Sequence, residues 1–183
     1  GWAEEVGDSG LSRMILGRPI YLYRLNDGAP DALLDRCPHR FAPLSRGTRE
    51  GDVLVCGYHG LRFGSDGQCV HNPFGDKIPA GTEIPAYPVV ERHGIIWLWA
   101  GDAEKADPAH IPDFSFVPDT DSLRSVRGTT LMRADYQYGT DNLMDLSHIE
   151  FVHKGTFAGQ GVIFAGKHNI RQDGETLHSD WWM

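Results

Sequence analysis

The chain has 183 residues, with 25 Asp and Glu against 17 Lys and Arg and a net charge of −8. No basic stripe is present to neutralise phosphates, so nucleic acid is excluded as a partner. No run of about 18 apolar residues and no signal-peptide pattern is seen, so nothing indicates a membrane span or export. There are three cysteines; one pair of motifs claims two of them, leaving no internal disulfide, as expected for a reducing cytoplasm. The length suits one large domain or two small ones.

Residues 11–100 are short β-prone runs punctuated by Gly, Pro and Asp, which predicts an all-β domain without a helix of useful length. Pro19 to Arg24 reads as a strand, Asn26-Asp27-Gly28 as a turn, and Asp31 to Asp35 as the lead into Cys37-Pro38-His39. Asp52-Val53-Leu54-Val55 leads in the same way into Cys56-Gly57-Tyr58-His59. Arg92-His93-Gly94 is a turn before a strand over Ile95 to Trp99.

The two motifs form the pattern C-x-H…C-x-x-H, with one thiolate and one imidazole from each of two loops. That is the ligand set of a Rieske [2Fe–2S] centre: Cys37 and Cys56 bind one iron, His39 and His59 the other. Neutral imidazoles remove negative charge from the cluster and raise its potential above that of an all-cysteine ferredoxin. The competing occupant is structural zinc, which also takes two Cys and two His. Zinc fingers, however, usually group the cysteines in one half and the histidines in the other. Cys69 reads as an ordinary small core or strand residue.

Asp102 to Pro108, with Pro112 and Pro118 beyond, reads as a linker. A strand is predicted from about Arg124 to Arg133, then a helix from Tyr136 to about Ile149 on the spacing of Leu143, Leu146 and Ile149. From Gly161 onward the pattern suggests a hairpin turning at Asp173-Gly174. Gly159-x-Gly161 begins a dinucleotide fingerprint, but Phe164 stands where the third glycine belongs, so electrons must come from another protein.

The stretch Asp141 to His153 holds a second candidate site. On a helix Asp145 and His148 lie about 60° apart and share a face. His148 and His153 lie about 140° apart, so both reach one metal only if the helix ends or bulges between them. Two histidines and a carboxylate with open positions make the facial triad of non-haem Fe(II) oxygenases. Taken alone, Asp141 and Glu150 read as solvated charges and Asn142 as a surface or capping residue.

Together these residues resemble the catalytic subunit of a Rieske non-haem iron aromatic-ring oxygenase. The resemblance rests on Cys37 to Ser45, Cys56 to Leu61, Gly67 to Pro73, and Asn142 to His148 with His153. The most similar subgroup is the O-demethylases of methoxylated aromatic acids, such as vanillate and dicamba demethylase. It implies an all-β Rieske domain over 1–112, followed over 113–183 by the first part of an α+β helix-grip catalytic domain.

The resemblance also implies roles. His148 and His153 hold a mononuclear Fe(II), and Asn142 lies beside it. Asp145 links His148 to His59 of a neighbouring subunit in a homotrimer. Electrons from NADH arrive through a reductase, with or without a ferredoxin, and O2 is the co-substrate in demethylating or hydroxylating a small aromatic acid. The family's third iron ligand is an Asp far downstream of the histidine pair, in a segment the chain lacks. The catalytic domain therefore reads as truncated, and its activity as dependent on that segment. The alternative is a Rieske ferredoxin-like electron-transfer protein without its own catalytic site; Asp145, His148 and His153 would have no use there. Leu61 follows Gly60 where high-potential Rieske proteins place a serine, which puts the potential toward the low end of the range.

Overall fold

The structure is a computed structural model that describes residues 1–119, 124–155, 161 and 165–182. It forms two compact units, Gly1–Val126 and Arg127–Met183.

The first unit is all-β. Strands β1 (Leu11–Ile15), β2 (Arg18–Arg24) and β3 (Pro30–Leu34) form an antiparallel sheet in that order. Side chains alternate across a strand, and β2 uses both faces. Tyr21 and Tyr23 enter one buried cluster, with Cys37, Cys56 and Phe63, while Ile20 and Leu22 enter another, with Ala32, Tyr87 and Ile96. The first sheet is thus a central layer, and the ligand loops lie on its tyrosine side. The turn at 26–28 is closed by Gly28 N–H on the Leu25 carbonyl at 2.9 Å.

A second antiparallel sheet runs β4 (Thr48–Glu50), β5 (Val53–Val55), β6 (Arg62–Phe63) and β7 (Cys69–His71). Cys69 opens β7 as a buried strand residue, as its sequence context suggested. A hairpin of β8 (Val89–Arg92) and β9 (Ile95–Leu98) turns at His93 and Gly94, whose φ values of 60° and 72° fit a two-residue hairpin turn. The stretch read as a linker holds two short 3-10 turns, capped by Asp102 and Asp107.

Two expectations fail beyond the 3-10 turns. Residues 124–133 are not a strand. Val126 and Leu131 are exposed, and among the described residues no strand pairs with the segment, so the ladder a strand needs is missing. The helix does not run unbroken to Ile149. α1 (Tyr136–Met144) stops at Asp145, a 3-10 turn covers Leu146–His148, and α2 (Ile149–Val152) follows. Asp145 has φ −93° and ψ 88°, and its side chain accepts from the Ser147 N–H as the cap of the next turn. A short polar side chain that captures a nearby backbone N–H competes with helix continuation.

The hairpin at the end appears as expected. β10 (Lys167–Asp173) pairs with β11 (Thr176–Trp182), and Gly174 takes a φ of 58° in the turn. Gly159 and Phe164, the positions of the rejected dinucleotide pattern, lie outside the described residues.

Candidate functional site

The two ligand loops are built alike. In the first, Cys37 N–H donates to the Ala42 carbonyl at 2.9 Å and Phe41 N–H to the Cys37 carbonyl at 2.8 Å. In the second, Cys56 N–H donates to the Leu61 carbonyl at 2.8 Å and Gly60 N–H to the Cys56 carbonyl at 2.9 Å. Each loop turns through a left-handed residue four places after its cysteine: Phe41 with φ 59° and Gly60 with φ 74°. The two loops touch through glycines. A Cβ on Gly57 would lie 3.0 Å from the Arg46 carbonyl oxygen, and one on Gly47 would lie 2.0 Å from the Val55 carbonyl oxygen. Only hydrogen at these positions allows so close an approach.

This scaffold sorts the four candidate ligands by depth. Cys37 and Cys56 are each 2% exposed, within the core on the tyrosine side of the first sheet. The His39 and His59 rings face each other with centroids 4.6 Å apart, His39 being exposed and His59 half-buried. Tyr58 packs on His59 at 3.8 Å, and Phe74 reaches it edge-on at 6.1 Å.

Burial pushes the Cys37 thiol up to about 11, and the neighbouring Cys56 thiol pushes it the same way. The buried Cys37 thiol stays protonated unless a cationic metal takes the place of its proton. The donor set therefore fits a binuclear iron cluster: paired sulfurs for the inner iron and paired imidazoles for the outer one.

In the second unit, Nδ1 of His148 contacts the backbone carbonyl of Asp145. That contact puts the ring proton on Nδ1 and leaves the Nε2 lone pair for a metal. Asn142 Nδ2 lies 3.4 Å from this Nε2. The His148 and His153 rings are 5.3 Å apart and edge-on, so the tight 3-10 turn before α2 converges two residues that a regular helix would splay. The Asp145 carboxylate is exposed and accepts from Ser147 N–H at 3.0 Å and Ser147 Oγ at 2.5 Å. These two bonds hold it below the usual carboxylate range. Among the described residues no three His, Cys, Asp or Glu side chains are placed around one ion. The histidine pair fits two positions of a facial triad.

Residues 3–88 match the Rieske [2Fe-2S] domain family, and residues 132–183 match the vanillate O-demethylase oxygenase C-terminal domain family. The chain belongs to the Rieske non-haem iron oxygenases. It is 40% identical over 181 residues to the oxygenase component of chloroacetanilide N-alkylformylase from Rhizorhabdus wittichii, covering 98% of this chain and 52% of that protein. It is 49% identical over 152 residues to the oxygenase component of dicamba O-demethylase from Stenotrophomonas maltophilia, covering 82% of this chain and 44% of that protein. The crystal structure of dicamba monooxygenase bound to dicamba matches with a TM-score of 0.87 at 41% identity, covering 97% of this chain and 53% of that one. The chain spans about half the length of the relatives it matches. Membership implies a [2Fe–2S] cluster and a mononuclear iron as cofactors of the Rieske oxygenase.

Two residues escaped the sequence reading. Ser147 anchors Asp145, and the Asp-x-Ser spacing of a capped turn was the available signal. Glu150 has the sequence context of a solvated charge but is 7% exposed, and its carboxylate accepts from Gly161 N–H at 2.9 Å. No local pattern distinguishes such a buried glutamate from a surface one, because its partner lies in a later loop. Among the described residues no helix is long and apolar enough to cross a membrane.

Proposed function

We propose that the chain is part of the oxygenase component of a Rieske-type oxygenase that O-demethylates or hydroxylates a small aromatic acid. The observation that carries this reading is the presence in one chain of two kinds of metal-ready site. One is the Cys37/Cys56 and His39/His59 pairs; the other is Asn142, Asp145, His148 and His153. A ferredoxin-like electron carrier needs only the first. The domain division at residues 112 and 113 belongs to the same proposal, as do the four cluster ligands and the two iron ligands.

When bound, the cluster supplies single electrons and the mononuclear iron supplies O2 activation. Cys37 and Cys56 anchor the cluster in the core, and His39 and His59 carry its outer edge to the surface. The contact of Nδ1 with the Asp145 carbonyl turns Nε2 of His148 toward the metal. Asn142 donates a polar contact beside that position, where it orients a small ligand. The exposed Asp145 carboxylate, fixed by Ser147, is free to meet a His59 from another copy. The working assembly in this reading is a homotrimer, as the family resemblance implies. Electrons are supplied by NADH through a reductase, with or without a ferredoxin, in a cytoplasmic setting that keeps the three cysteines reduced.

The test is O2 uptake by the iron-loaded protein with NADH and a reductase, against methoxylated and unsubstituted aromatic acids. Substrate-dependent uptake with matching formaldehyde or hydroxylated product supports the proposal. Reversible cluster reduction that no aromatic acid influences supports the electron-carrier alternative.

A further inference from the structure

The two ligand loops share their internal hydrogen bonds but differ at their bases. The second loop is closed by strand pairing, since β5 and β6 flank it and Val55 faces Arg62 in the ladder. The first has no such closure: β3 ends at Leu34, and the next strand, β4, belongs to another sheet. A side chain takes the place of the ladder. Asp35 follows β3, is 4% exposed, and donates its N–H to the Pro19 carbonyl at 2.9 Å. Its Oδ1 accepts from Ser45 N–H at 2.8 Å, and its Oδ2 accepts from Ser45 Oγ at 2.6 Å and Ser12 Oγ at 2.6 Å. One carboxylate thus ties together the two feet of the loop that carries Cys37 and His39, and ties both to β1.

All three donors are neutral. Arg36 and Arg46 line the same cleft, but among the described residues neither forms an ion pair with Asp35, and Arg36 stacks on Phe41 at 4.5 Å. The negative charge is therefore held by dipoles and not cancelled by a cation. Asp35 precedes Cys37 by two residues, a reach of at most about 7 Å. That bound is between Cα atoms; a fixed anion held out of water at the base of the same loop opposes the arrival of an electron there.

We propose that Asp35 is a positioning residue of the cluster: its carboxylate locks the base of the first ligand loop, and its charge holds the cluster potential down. This rests on the reading of Cys37, His39, Cys56 and His59 as cluster ligands.

The test compares the loaded wild-type protein with Asp35→Asn and with a Ser12→Ala/Ser45→Ala double variant. Two quantities are read: the midpoint potential by spectroelectrochemical titration, and the rate of iron loss to a chelator. Asp35→Asn keeps the shape, removes the charge, and is expected to raise the potential. The double variant keeps the charge and removes two tethers. It is expected to lose iron about tenfold faster or more without a rise in potential. A wild-type potential in loaded Asp35→Asn, or a wild-type rate of iron loss in the double variant, overturns the proposal. If Asp35→Asn does not retain a cluster, the double variant decides by the same criterion. Absence of a Rieske signal in the wild-type protein would instead overturn the ligand assignment beneath it.

Discussion

Nδ1 of His148 is held by the backbone carbonyl of Asp145, three residues earlier, so the break in the helix is also what orients the ring. The chain leaves its helical path at Asp145, and the carbonyl freed there becomes a proton acceptor for the imidazole. Replacing His148 by Ala is expected to abolish Fe(II) uptake beyond the cluster irons, with sulfide content and the cluster signal unchanged. Fe(II) titration with iron and sulfide analysis checks this. Wild-type uptake in the variant contradicts the assignment.

The Asp145 side chain has a different duty from its backbone. Its carboxylate is held by the Ser147 N–H and hydroxyl. Asp145→Ala is expected to leave both kinds of iron bound and to slow reoxidation of the reduced cluster in the presence of substrate by about 10–100-fold. Stopped-flow absorbance of the cluster reads that rate. Ser147→Ala should show a smaller slowing in the same direction, since it frees the carboxylate without removing it.

Gly47 and Gly57 hold the two ligand loops in backbone contact. A methyl group at Gly47 meets the Val55 carbonyl oxygen at 2.0 Å, which no rotamer change can relieve. Gly47→Ala is expected to destabilise the first unit by about 1–3 kcal/mol, the usual range for overpacking, and to lower cluster occupancy. Denaturant unfolding and the sulfide-to-protein ratio measure the two effects. Unchanged occupancy would mean that the loops bind the cluster independently.

Tyr23 is fully buried, and its hydroxyl contacts the Asp31 carboxylate. Burial raises its phenol well above the usual value, and the Asp31 hydrogen bond adds to the rise. The folded form thus keeps its proton at pH values where the unfolded form, with a pKa of about 10, has lost it. This contribution to stability is intact below about pH 10 and falls as pH rises further. Tyr21, raised by burial, adds to the same slope. Tyr23→Phe is expected to give a shallower loss of stability above pH 10 and a cost of about 1–3 kcal/mol at neutral pH from the donor removed. Urea midpoints between pH 7 and 11 test both, and an unchanged alkaline slope contradicts the assignment to Tyr23.

Much of this was legible in the sequence where the signal is local. The run at 19–24, the turn at Gly28, the strand from Ile95 and the hairpin at Gly174 follow from β-prone runs bounded by turn residues. The ligand motifs are local too, because each loop carries its own Cys and His. Three features were not legible. The segment 124–133 has strand-like residues, but a strand requires a partner. The helix break at Asp145 depends on a cap that competes with an apolar spacing continuing through Leu146 and Ile149. The burial of Asp35 and Glu150 depends on contacts with Ser12, Ser45 and Gly161, which sequence spacing does not reveal.

Cys37, His39, Cys56 and His59 are expected to hold a binuclear cluster in the same chain that carries His148 and His153. Low-temperature EPR of the anaerobically purified protein, before and after dithionite, with iron and acid-labile sulfide counted, tests it most directly. The expected result is a Rieske signal that appears on reduction, with equal iron and sulfide from the cluster and any further iron lost in His148→Ala. A folded, reconstituted protein with neither sulfide nor signal would contradict the account and return the four ligands to zinc.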